Sequence, residues 1–101
     1  NFQFFPSIVS NNNNAFIAYM SADDSNNVPK DDPRPSKIVL NTVDMKNNIS
    51  LDSKIITTNG TYPNIALRGN IIALVYEQEY KDEYKIIVNI LSVNELVDHT
   101  K

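Results

Sequence analysis

Carboxylates and tyrosines are interleaved in residues 76–84, and this stretch offers the most for catalysis. A glycosidase needs two carboxyl groups flanking the scissile bond, one of them with a raised pKa. Some glycosidases use a tyrosine–glutamate pair as the nucleophile, and Tyr76-Glu77 is such a pair. The alternative is a solvated acidic hairpin tip, balanced by Lys81 and Lys85, and we favour it. The acidic residues concerned are Glu77, Glu79, Asp82 and Glu83.

A second oxygen-rich stretch lies in the polar, proline-containing segment 21–36. Asp23, Asp24, Asp31 and Asp32 are the ligand type that calcium prefers. The EF-hand order fails, however, because Val28 stands where that loop requires glycine. We therefore interpret the segment as a long surface loop, and we expect no metal site and no cofactor.

The composition excludes several classes of chemistry. The chain has no cysteine, two glycines and a single histidine, His99, so thiolate catalysis, a phosphate-binding glycine loop and a histidine metal centre are not expected. The net charge of −3 makes nucleic acid a poor partner. No apolar run is long enough to span a membrane as a helix.

Short runs of β-branched and aromatic residues, separated by turn residues, predict an all-β chain. Hairpins are expected at Arg68-Gly69-Asn70, at Asn11 to Asn14 and at Glu79 to Asp82, through residues that tolerate positive φ at the first two. The last segment, 93–100, is either an eighth strand or a short helix. The predicted strands are 2–9, 14–20, 37–45, 51–58, 62–67, 71–77 and 84–92.

Strands 71–77 and 84–92 are apolar on both faces, which is typical of strands covered on both sides. In the second of them Tyr84, Ile86, Val88 and Ile90 share one face, and Ile87 and Leu91 share the other. We therefore expect a packed neighbour above and below these strands.

The sequence repeats internally. Residues 5–9 (FPSIV) align with residues 62–66 (YPNIA) at an offset of 57, which also pairs Tyr19 with Tyr76. Beyond the long loop the offset falls to 48, and residues 37–41 (KIVLN) align with residues 85–89 (KIIVN). The nine-residue difference is the excess length of the loop. A repeat of this length, with three or four strands, is typical of propeller blades.

The pattern aromatic-Pro-x-Ile, turn, apolar run ending in Tyr, then Lys-Ile-x-x-Asn resembles the blades of sialidase-type β-propellers. Residues 62–77 (YPNIALRGNIIALVYE) carry most of this resemblance. It implies a propeller fold and favours an extracellular or cell-surface location. The alternative fold is an antiparallel β-sandwich with accidental self-similarity.

The catalytic features of sialidases are missing from the chain. Residues 50–53 (SLDS) keep only the Ser-x-Asp of an Asp-box, and there is no tryptophan. Only Arg34 and Arg68 are present, whereas sialidases resemble one another in three arginines that grip a carboxylate. Phe4-Phe5-Pro6 also lacks the arginine of the early Arg-Ile-Pro motif. The resemblance therefore implies a scaffold without sialidase chemistry.

We thus predict two four-stranded blade-like units, 1–60 and 61–101. Two blades cannot close a ring, so the chain is expected to be part of a larger propeller or to self-assemble. The function expected is a non-catalytic binding or interaction module whose partners are other blades or further copies of itself. The alternatives are part of a propeller glycoside hydrolase and a carbohydrate-binding lectin. The candidate ligand-binding residues are Phe5, Tyr62, Tyr76 and Glu77.

Overall fold

The computed structural model of the chain describes residues 2–22 and 36–97. Their secondary structure is almost entirely strand, which confirms the all-β class. The strands pair antiparallel in the order in which they follow one another, and the sheet curls until its first strand packs against its fourth. The elements are β1 (Phe2–Ser10), β2 (Asn14–Ala22), β3 (Ser36–Asp44), β4 (Ile49–Arg68), β5 (Ile71–Tyr80), β6 (Glu83–Ser92) and α1 (Val93–Val97).

Strand ends differ from the predicted ones by up to three residues, and one predicted break between strands is absent. The separate strands expected at 51–58 and 62–67 form the single 20-residue strand β4. Asn59-Gly60 looks like a turn in sequence, but Gly60 is buried and paired, and it serves close packing instead. Segment 93–100 begins with the helix α1, the second of the two alternatives, and its residues 98–100 lie outside the described part.

Helix α1 forms because its apolar residues share one face. Val93 and Leu96 are three residues apart and are both buried in the core. The backbone N–H of Val93 donates to the Asn70 carbonyl at 2.9 Å. Ser92, which precedes the helix, accepts a hydrogen bond at Oγ from Asn70 Nδ2. The helix therefore ties the end of β6 to the β4–β5 turn. Among the described residues there is no helix of the length and apolar character needed to cross a membrane.

Strand β4 changes its partner at Gly60. Residues 49–60 pair with β3, residues 60–68 pair with β5, and Gly60 is the one residue of β4 whose register joins both neighbours. The six strands thus form one continuous sheet that curls into a half-barrel, and Gly60 divides this sheet into two halves, which we call layers. The N-terminal layer contains β1, β2, β3 and residues 49–59 of β4. The C-terminal layer contains residues 61–68 of β4, β5 and β6, so the described part of this layer has three strands and a helix where four strands were predicted.

The hydrophobic core lies between the two layers. Phe16, Met20 and Leu40 of the N-terminal layer are at most 1% exposed. Ile72 and Leu74 of the C-terminal layer are fully buried in the same cluster. A shared core of this kind makes the stability of each layer depend on the other.

The β1–β2 and β4–β5 hairpins have the same register. Ile8 pairs with Ile17 in the first and Ile65 pairs with Leu74 in the second, which are equivalent positions at the offset of 57. Each ladder also shifts register at the same point, between Phe4 and Ser7 in the first hairpin and between Thr61 and Asn64 in the second. The repeated sequence thus corresponds to a repeated local structure.

The two layers turn opposite faces toward the core. In the N-terminal layer, we call the side that carries Phe16, Ala18, Met20 and Leu40 the front face. In the C-terminal layer, the front face carries their equivalents in the repeat, Ala73, Val75, Glu77 and Val88. The opposite side of each layer is its back face. Because alternate residues of a strand point to opposite faces, β2 buries its front face and β5 buries its back face. Tyr19 is half-buried, whereas its equivalent, Tyr76, is 4% exposed. The front of the first layer therefore packs on the back of the second.

Described residues cover one face of β5 and β6, and the neighbour expected on the second face stays a prediction. Ile87 and Leu91, on the back face of β6, pack against the core. Ile86, Val88 and Ile90, on its front face, are 67%, 56% and 62% exposed. The sequence places these residues on opposite faces correctly, but only one face is covered by described residues.

The turns form where they are expected, by three different means. At Asn11 to Asn14 the Asn11 side chain closes the turn, since its Oδ1 accepts from the N–H groups of Asn13 and Asn14. Gly69 adopts φ 59°, and Lys81 and Asp82 adopt φ 49° and 65°, as tight hairpins require.

In the β3–β4 turn, hydrogen bonds from Asn47 lower the pKa of the Asp44 carboxyl below its usual range.

Candidate functional site

The repeated aromatic–proline motif forms a bulge in each layer. Phe5 and Tyr62 occupy the left-handed region, with φ of 51° and 53°. A residue before proline normally has an extended backbone, and a bulky residue rarely adopts positive φ. Each bulge therefore carries backbone strain on the order of 1 kcal/mol or more, which the surrounding structure must offset. Because the left-handed conformation recurs at equivalent positions of the repeat, Phe5 and Tyr62 form a candidate site.

The two bulges lie side by side where β1 packs against β4. The centroids of the Phe5 and Tyr62 rings are 5.0 Å apart, and the ring planes are tilted by 54°. The Ile65 N–H donates to Ser7 Oγ at 3.1 Å, which fastens the second bulge to the first. The Tyr62 N–H lies 3.4 Å from Met20 Sδ, its acceptor. These hydrogen bonds hold the backbone of the second bulge against β1 and β2.

The paired rings form an exposed aromatic surface. Phe5 is 46% exposed and Tyr62 is 47% exposed, although their rings contact each other. Tilted rings at this separation have favourable quadrupole contact. An aromatic pair with fixed backbone and open outer faces can stack on a flat, partly apolar ligand at little cost in conformational entropy.

The other two candidate residues are placed apart from each other. Tyr76 is 4% exposed and lies in the core, where its ring approaches Gly60. Glu77 follows it on β5 and is half-buried on the front face. The structure thus brings Phe5 and Tyr62 together and directs Tyr76 and Glu77 to opposite sides of one strand.

The acidic stretch forms the hairpin between β5 and β6. Asp82 and Glu83 are exposed at the turn, and Glu79 Oε2 accepts a hydrogen bond from the Tyr84 hydroxyl at 3.4 Å. Within residues 2–22 and 36–97, no three acidic or histidine side chains are grouped closely enough to hold a metal ion. The oxygen-rich loop residues Asp23, Asp24, Asp31 and Asp32, and His99, lie outside the described residues.

Sequence reasoning missed Gly60 as a functional position. A Cβ at this residue would lie 2.7 Å from Ile38 Cγ1 and 2.9 Å from Thr57 Cγ2. Such distances are shorter than real Cβ contacts, so any side chain at this position would force Ile38 and Thr57 to move. The signal available in the sequence was a lone glycine between two strand patterns, which marks a close backbone approach as often as a turn.

Comparison with protein-family models, with curated proteins and with solved structures gives no match to this chain. The resemblance to sialidase-type propellers therefore stays a prediction, and the site has to be interpreted from its own geometry.

Proposed function

We propose that the chain is a non-catalytic binding or interaction module of β-propeller type, in which the two layers are consecutive blade-like units. The front-to-back packing of the layers is the observation that carries this proposal. Blades related by rotation about a common axis meet in this way, each front against the next back. Two layers related by a twofold axis, as in a symmetric sandwich, would bring equivalent faces together. The packing therefore supports blades over the sandwich alternative, although the continuous hydrogen bonding of the six strands differs from the separate sheets of propeller blades.

The placement of the candidate nucleophile supports a non-catalytic role. A tyrosine–glutamate pair must converge on one substrate atom to act together. Tyr76 is enclosed in the core and Glu77 faces the other way, so the two do not converge in this structure. Tyr76 and Glu77 therefore give the hydrolase alternative no support, and the tyrosine–glutamate pair that does converge, Tyr84 with Glu79, lies on the exposed β5–β6 hairpin.

We expect the chain to release no product from sialosides or from simple aryl glycosides. This follows because Tyr76 and Glu77 lie on opposite sides of β5, and because the Tyr84–Glu79 pair lies on an exposed hairpin. A fluorogenic assay with each substrate class measures it, with the Glu77→Gln variant as the matched control. Turnover that this variant abolishes, while its circular dichroism is unchanged, would overturn the non-catalytic proposal.

A carbohydrate-binding lectin is the second candidate, and the Phe5–Tyr62 pair favours it. The apolar CH face of a sugar ring stacks on aromatic side chains, and this pair is rigid and half-exposed. In a ring of such units, an equivalent aromatic would recur at every blade. Several weak sites of this kind would bind a multivalent glycan with enhanced avidity.

Titration with simple saccharides, followed by NMR, tests the lectin candidate. We expect chemical-shift changes confined to the surroundings of Phe5 and Tyr62, and we expect Tyr62→Ala to reduce affinity about tenfold or more. The control is Tyr84→Ala, which removes a tyrosine that is 57% exposed on β6. Equal losses from both variants, or shifts centred elsewhere, would contradict a sugar site at the aromatic pair.

A further inference from the structure

The front face of the C-terminal layer is an apolar surface that no described segment covers. Three β-branched residues of β6, Ile86, Val88 and Ile90, are each more than half exposed there. Val75 of β5 pairs with Val88 on the same face and is half-buried. Contiguous exposed apolar residues on a small chain mark an interaction surface.

The internal repeat shows what fits this surface. At the offset of 48, Ile86 and Val88 are equivalent to Ile38 and Leu40 of the N-terminal layer. Ile38 and Leu40 are 0% and 1% exposed, because the back face of the C-terminal layer covers them. The same kind of front face therefore occurs twice, once covered by a back face and once open.

The chain also carries an open back face at its other end. Ile8 is 62% exposed, whereas its equivalent in the C-terminal layer, Ile65, is 6% exposed. Ile17 and Tyr19 are half-buried on the same face, and their equivalents, Leu74 and Tyr76, are in the core. The open back face thus has the side chains that cover a front face inside the chain.

We propose that a second copy of this chain docks the back face of its N-terminal layer onto the front face of this C-terminal layer. The contact between chains repeats the front-to-back packing of the two layers within one chain. In a closed ring, each chain uses its open front face on one neighbour and its open back face on the other, so no such face stays open. The inference rests on the proposed blade-like module. Since propellers have four to eight blades, the ring contains about two to four copies.

The faces themselves favour a second copy over an unrelated partner. A head-to-tail contact needs two different surfaces that match each other, and this chain holds both. Ile8 and Tyr19 on the open back face are equivalent to Ile65 and Tyr76, which lie in the internal contact. The two back faces therefore present the same types of side chain at these positions. An unrelated partner for the front face would leave the back face, with Ile8, uncovered.

Analytical ultracentrifugation at micromolar concentration tests the proposal. The complete chain is expected to sediment as one discrete oligomer. Val88→Glu blocks the front face and Ile8→Glu blocks the back face, and each should weaken association about a hundredfold or more, because a charge would be buried without a partner. Both residues are exposed in the single chain, so both variants should fold, as circular dichroism will check. Asn12→Glu adds the same charge in an exposed turn and should change nothing.

Mixing the two blocked variants distinguishes this head-to-tail arrangement from any arrangement in which two equivalent faces meet. Each variant keeps one intact face, so the mixture should form a one-to-one pair that neither variant forms alone. A complete chain that stays monomeric overturns the inference, as does association that Ile8→Glu leaves unchanged. Either result leaves the non-catalytic proposal standing, because that proposal is overturned only by turnover in the glycoside assay.

Discussion

Replacing Leu74 by aspartate is expected to unfold the chain, while the same replacement at the adjacent Val75 leaves it folded. Leu74 is fully buried between the layers, and a carboxylate there would have no partner. Val75 lies on the front face of β5, where its side chain is only half-buried and solvent can reach a charge. Far-ultraviolet circular dichroism and urea unfolding measure the difference.

Alanine substitutions at the same two positions measure how much each side chain contributes to the free energy of unfolding. Leu74→Ala should lower the free energy of unfolding by about 2–5 kcal/mol, which is a large part of the stability of a small domain. Val75→Ala should cost about 1 kcal/mol or less, since little buried volume is lost. Equal costs at the two positions would mean that the assignment of front and back faces in β5 is wrong.

Replacing Gly60 by alanine is expected to destabilise the chain by about 1–3 kcal/mol. Elsewhere in a strand this substitution is favourable, because it reduces the freedom of the unfolded chain. At Gly60 the added Cβ would meet Ile38 and Thr57 at less than 3 Å, and Tyr76 at 3.1 Å. The layers would have to move apart at the point where β4 joins them. Urea unfolding measures the loss.

A double-mutant cycle identifies the cause. Ile38→Ala removes the atom nearest to the added Cβ, so Gly60→Ala should cost measurably less in that background than in the natural chain. Thr58→Ala, at an exposed position two residues earlier, is the control and should change stability by about 0.5 kcal/mol or less. A Gly60→Ala variant as stable as the natural chain would contradict the close approach of the layers there.

Much of the architecture could be predicted because local signals agree with it. A run of β-branched and aromatic residues identified β6, the two-residue period of a strand assigned residues to its two faces, and turn residues located its hairpin with β5. The repeat also held, since residues 5–9 and 62–66 occupy equivalent positions in equivalent hairpins. Strand periodicity and turn chemistry act over a few residues, so they can be recognised without the fold.

The face that each layer buries could not be predicted. Leu74 and Val75 are both apolar, and periodicity cannot say which of two apolar faces meets a neighbour. The geometry of the Phe5–Tyr62 pair could not be predicted from the sequence either. Phe5 and Tyr62 precede prolines, for which an extended backbone is expected, and the left-handed conformation is imposed by the packing of one bulge on the other.

The front-to-back packing of the two layers is tested most directly by nuclear Overhauser effects in the complete chain. The front face of β2 should lie against β4, so the Met20 methyl group should show a contact to the Tyr62 amide proton, whose nitrogen is 3.4 Å from Met20 Sδ. The Phe5 and Tyr62 rings should also be in contact. If Leu74 shows contacts to Ile17 in their place, equivalent back faces meet each other and the arrangement of the layers derived above is wrong.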